Sequence, residues 1–99
     1  MPITTHEESG VVTISLDDKF VFSDHRAFRN TYHGRPPDTR YILDFRRVTY
    51  MDSSALGMLL LLKEEAAGAD RARVQLIHCN DQVRKILEVA NFGQIFTIV

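Results

Sequence analysis

From Val11 to Leu16 the chain alternates. Val12, Ile14 and Leu16 share one face and Val11, Thr13 and Ser15 the other, which predicts a strand with one side covered. Ile3 to His6 reads as a second short strand, and Glu8-Ser9-Gly10 between the two reads as a hairpin-type turn. After a polar break at Asp17-Asp18-Lys19, a brief apolar stretch, Phe20-Val21-Phe22, leads into a helix. Ser23 is the expected cap, Asp24 lies in the first turn and Gly34 stands past the end. Ala27, Phe28 and Tyr32 supply the apolar face. Gly34 to Asp38 holds two prolines that cannot continue the helix, so it is a loop.

The pattern changes at Tyr41. Tyr41-Ile42-Leu43 is a continuous apolar run of strand-forming residues, as a central strand requires. Asp52, Ser53 and Ser54 are cap-type residues at the opening of a helix. Ala55 to Leu62 follows with good helix formers and one weak link, Gly57. Gly68-Ala69-Asp70 is expected to close that helix, and Val74 to Ile77 forms another strand. Either Asn80 or Asp81 caps a third helix, whose Val83, Ile86, Leu87 and Ala90 recur at i, i+3, i+4 and i+7. Asn91-Phe92-Gly93 ends it, and Ile95 to Ile98 reads as an edge strand. Strands alternating with helices imply an α/β fold, with a mixed, mostly parallel sheet after the N-terminal hairpin. Ninety-nine residues suit one domain over residues 1–99.

Composition narrows the chemistry mainly by exclusion. At 44% hydrophobic and 25% charged, the chain is ordinary globular material. A net charge of −1 argues against direct nucleic-acid binding driven by counterion release, and the Arg46-Arg47 pair does not change that. Ala55 to Leu62 is far short of a membrane span, and the N-terminus lacks the regions of a secretory signal. A lone cysteine, Cys79, excludes an internal disulfide, suits a reducing cytoplasm and reads as a buried, inert thiol. The histidines at 6, 25, 33 and 78 show no metal-type spacing. There is no G-x-S-x-G elbow and no phosphate-binding G-x-x-x-x-G-K-[ST] loop, so the chain reads as a binder without cofactor or metal, not an enzyme.

One stretch carries positive chemical content. A serine pair at the positive end of a helix dipole, directly after a core strand, favours an oxyanion or a phosphate. The same residues also serve as an ordinary cap. Asp44, ahead of the loop that delivers them, is expected to accept loop N–H groups. Helix residues 55–62 are apolar nearly all round, and which side faces outward stays open.

Met51-Asp52-Ser53-Ser54-Ala55-Leu56-Gly57 resembles the signature of STAS domains, specifically of bacterial anti-sigma factor antagonists, and the order of elements fits nearly the whole chain. The resemblance implies a single STAS domain with helices packed mainly on one face. It implies that Ser53 is phosphorylated by a serine kinase that is itself the anti-sigma factor. The unphosphorylated form would bind that protein and free the sigma factor, and a PP2C-type phosphatase would reset the switch. Two positions depart from the family: Ala55 stands where glycine is usual, and Phe20-Val21-Phe22 stands where an aspartate is frequent, with Val21 in its place. The second bears on the charge around Ser53. Phosphorylation would add about −1.5 to −2 charges, enough to disrupt an apolar or acidic contact. Asp52, Ser54, Met58, Leu61, Leu62 and Asp24 are the candidate partner-binding residues beside Ser53. The alternatives are a STAS scaffold or transporter-associated subunit that is never phosphorylated, and small-ligand binding or hydrolysis at the serine rim.

Overall fold

The alternation read in the sequence becomes one covered sheet face. A computed structural model describes residues 3–67 and 73–99. Strands β1 (Thr4–Glu8) and β2 (Val11–Ser15) form the antiparallel hairpin. Its turn residues Ser9 and Gly10 both take positive φ, 53° and 79°, as a tight two-residue hairpin turn demands. The main sheet continues with β4 (Arg40–Asp44), β6 (Val74–Ile77) and β7 (Thr97–Ile98) in the order β1-β2-β4-β6-β7, parallel from β2 onward. Register sets Val12 beside Tyr41 and Tyr41 beside Val74, then Ile14 beside Leu43 and Leu43 beside Leu76. All six are buried, whereas Val11, Thr13, Ile42 and Gln75 on the opposite face are half-buried.

Helices α1 (His25–Tyr32), α2 (Ser53–Leu62) and α3 (Asp81–Val89) turn their buried side chains into one core with that face. Phe28, Thr31 and Tyr32 come from α1, and Val83 and Leu87 from α3. Ala27, expected on the apolar face of α1, is exposed; Thr31 takes the inward position and its hydroxyl donates to the Phe28 carbonyl at 2.6 Å. Ser23 is not the cap of α1. A 3-10 turn over Phe22–Asp24 precedes the helix, and Asp24 is the residue before its first turn.

Two short strands lie outside the alternation: β3 (Lys19–Phe20) and β5 (Tyr50–Met51) pair in parallel as a second small sheet. A wider-wound turn, Lys63–Ala67, extends α2; the expected helix closure at Gly68-Ala69-Asp70 lies outside the described residues. The expected edge strand at 95–98 forms only over Thr97–Ile98; ahead of it the chain bends and Phe96 turns fully into the core.

Candidate functional site

The loop after β4 is fixed residue by residue until it delivers Ser53. Asp44 does what its position suggests: its Oδ1 accepts the Arg46 N–H at 2.9 Å. The Val48 N–H donates to the Phe45 carbonyl at 3.0 Å, and the Asn80 side-chain amide donates to the Val48 carbonyl at 3.1 Å. On the other flank the Asp18 carbonyl accepts from the N–H groups of Thr49 and Tyr50 and from the Thr49 hydroxyl. Val48 and Met51 are buried, so their side chains anchor what the backbone positions. A serine placed by such a loop stands on a rigid support.

Asp52 caps α2 from an extended backbone (φ −95°, ψ 177°), its Oδ1 accepting the Ala55 N–H at 3.1 Å. Its other oxygen accepts the Phe22 N–H at 3.2 Å. The adjacent Val21 N–H donates to Asp24 at 2.9 Å. Two successive N–H groups of the 21–22 segment therefore reach two carboxylates, one ahead of α1 and one ahead of α2. The Phe22 bond ties the start of α2 to the segment just ahead of α1. Arg29 pairs with Glu65 at 3.5 Å and His33 Nδ1 lies 3.5 Å from the same carboxylate, joining the far ends, so α1 and α2 run side by side in the same direction.

Ser53 is the first residue of α2 and is exposed, while Ser54 is half-buried. No acidic residue occupies the first turn of α2, which leaves the positive end of the helix dipole neutralised only by the cap. Ala55 is fully buried, which explains a small side chain at that place. Asp24, Asp52, Ser53 and Ser54 are thus gathered at one rim.

Met58 and Leu62 are not on that rim. Both are buried, 4% and 0% exposed, and belong to the core, so the surface role expected of them does not hold. Leu61 does face outward, at 48% exposure, and so does Leu60 at 41%. Phe22 and Tyr50, 64% and 54% exposed, extend the apolar surface beside the α2 start, and Phe22 stacks on His25 with ring centroids 5.6 Å apart. Gly57 also faces solvent, and a methyl group built there would meet nothing within 4 Å. The signal for this stripe lay in helical spacing counted from Ser53: positions i+4, i+7 and i+8 are Gly57, Leu60 and Leu61. Phe22 and Tyr50 had no such signal.

On the other flank Leu56 joins Gln82, Lys85, Ile86, Val89 and Ala90 around an apolar groove between α2 and α3. Burial raises the Cys79 thiol above its ordinary range, and it does the same to the Tyr32 and Tyr41 hydroxyls. No group of three or more histidine, cysteine or acidic side chains able to hold a metal forms among the described residues. No helix among them is long and apolar enough to cross a membrane.

With this geometry, the chain belongs to the STAS-domain family: the family model described as "Mlab, STAS domain" matches residues 3–99. A STAS-domain containing protein of Pseudomonas aeruginosa strain UCBPP-PA14 is 47% identical over 89 residues, covering 88% of this chain and 86% of that protein. The fold is that of the anti-sigma factor antagonist SpoIIAA. The unphosphorylated form of SpoIIAA superimposes with a TM-score of 0.72 at 21% identity, over 98% of this chain and 86% of that one. The phosphorylated form, from Bacillus, gives 0.72 at 20% identity, over 98% and 90%. The murine anion transporter Slc26a9 also contains a region of this fold: TM-score 0.67, 19% identity, 85% of this chain and 14% of the transporter.

Proposed function

We propose that this chain is a phosphorylation-controlled anti-sigma factor antagonist of the cytoplasm, acting by binding and catalysing nothing itself. The carrying observation is an exposed Ser53 opening a helix whose first turn holds no acid, set among exposed apolar side chains. Unphosphorylated, Ser53 and the stripe through Gly57, Leu60 and Leu61 offer an uncharged surface to an anti-sigma factor, which then releases its sigma factor. That partner is also the kinase and supplies ATP, Mg²⁺ and the base. Phosphate at Ser53 is tolerated by the free protein, because the helix dipole offsets part of its charge. In the complex it meets a desolvated apolar contact. A loss of about 3 kcal/mol lowers affinity roughly a hundredfold, sufficient for a switch. A PP2C-type phosphatase restores the hydroxyl.

The test is intact mass after incubation with ATP and an extract of the source cell. A gain of one phosphate in the wild type and none in Ser53→Ala is expected; an unchanged wild-type mass removes the switch. A second reading draws on the likeness to the transporter region: a STAS module bound permanently within a larger assembly. That reading expects stoichiometric binding that ATP does not alter.

A further inference from the structure

We propose that Asn80 is the positioning residue that fixes where Ser53 stands for phosphoryl transfer; this rests on the reading of Ser53 as the acceptor. In that transfer the Ser53 Oγ bonds to the γ-phosphorus of ATP as the bond to ADP breaks, and the hydroxyl proton passes to the kinase's base. There is little else for the acceptor protein to contribute than place, and transfer rates respond to displacements on the order of 1 Å.

Strands β4 and β6 are parallel neighbours, and the segments leaving their carboxyl ends are stitched together at three points. The Phe45 N–H donates to the Ile77 carbonyl at 2.9 Å, which merely prolongs the sheet ladder. Arg46 Nη2 lies 2.8 Å from His78 Nε2 in an exposed contact. Asn80 makes the third and partly buried one, its Nδ2 on the Val48 carbonyl at 3.1 Å. The same side chain caps α3, Oδ1 accepting the Val83 N–H at 2.8 Å.

The pairing of these two bonds is informative. A cap alone is served equally well by aspartate or serine. Asparagine carries its acceptor and its donor on separate atoms, so Oδ1 can serve the helix while Nδ2 reaches across to the loop. Val48 is thereby held by its buried side chain, its own N–H and the Asn80 amide, five residues ahead of Ser53. The start of α3 thus serves as the abutment for the segment that presents the acceptor on α2.

Substitutions separate the two roles. Asn80→Asp keeps the cap and loses the donor, Asn80→Ser keeps the cap and draws its one hydroxyl back from the loop, whereas Asn80→Ala loses both. The full chains are given radiolabelled ATP and source-cell extract, well below all their melting temperatures, and label on Ser53 is followed in time. Labelling is expected to slow about five- to tenfold in all three variants, the effect of one lost hydrogen bond or slightly more. The fall in melting temperature is expected to be largest in Asn80→Ala. Wild-type labelling rates in the Asp and Ser variants, or slowing in Ala alone, overturn the positioning role and leave the phosphoacceptor standing. A wild type that takes no label overturns the phosphoacceptor reading, and this inference with it.

Discussion

Helices α2 and α3 open in the same way and then diverge. Asp52 and Asn80 both hold an extended backbone and both accept the N–H three residues on, at 3.1 and 2.8 Å. After its cap α3 places Asp81 in the first turn, so the chain itself answers the helix dipole. The α2 start carries its one carboxylate on the cap itself, Asp52, and follows it with two hydroxyls. The bodies differ too. In α3 the buried residues are Val83 and Leu87, with Lys85 and Glu88 exposed on the polar side and Val89 exposed at the last turn. In α2 the inward set is Ala55, Met58, Leu59 and Leu62, yet the outward set is Gly57, Leu60 and Leu61. Folding accounts for most of α3. It does not account for exposed leucines or for a mid-helix glycine with open space beside it, and those features suit a surface that another protein covers.

The sharpest way to break this contrast is to truncate both faces of α2. Leu62→Ala, in the core, is expected to cost about 2–5 kcal/mol of stability. Leu61→Ala, on the outer stripe, is expected to cost less than about 1 kcal/mol while weakening partner binding about tenfold. Chemical denaturation and titration calorimetry read the two quantities. Equal stability losses would mean that the outer face is packed as the inner one is.

Next in size is the cap of α2. Asp52→Ala removes acceptors for both Ala55 and Phe22 and is expected to cost about 1–2 kcal/mol. Amide exchange at Phe22 and Ala55 should quicken together. Exchange faster at Ala55 alone would show that the tie to α1 contributes nothing.

Gly57→Ala tests the surface argument from the opposite side. Helix propensity predicts a gain of about 1 kcal/mol, since the added methyl meets nothing within the chain. Partner binding is expected to fall, because a partner lying close over the glycine must then move away. A variant that gains stability and binds as before would remove the glycine from the interface.

The smallest effect is alkaline. Tyr32, Tyr41 and Cys79 have pKa values raised by burial from ordinary values of 10.0, 10.0 and 9.0. The folded state therefore favours their neutral forms. Their contribution is complete below those ordinary values and is lost as pH rises through the raised ones. Melting curves are expected to be unaffected by these groups at neutral pH and to decline above pH 9–10, with Tyr41→Phe declining less.

Much of the fold could be read in advance, and the reason is periodicity. The alternation of Val12, Ile14 and Leu16 named the covered face of β2, and the spacing of Val83, Ile86, Leu87 and Ala90 named α3. Helix α2 defeated the same method because apolar residues surround it, leaving no polar side to mark solvent. Spacing from Ser53 would have recovered Gly57, Leu60 and Leu61. Strands β3 and β5 are two residues each, too short to show a period. The second bond of Asn80 joins residues 32 apart, and no local pattern announces such a contact.

The central claim is most directly tested by the affinity of the anti-sigma factor partner for three forms of the chain, measured side by side. Wild type and Ser53→Ala should bind alike, and Ser53→Asp should bind at least tenfold more weakly. Equal affinity of the aspartate form would contradict a switch worked by charge at the start of α2.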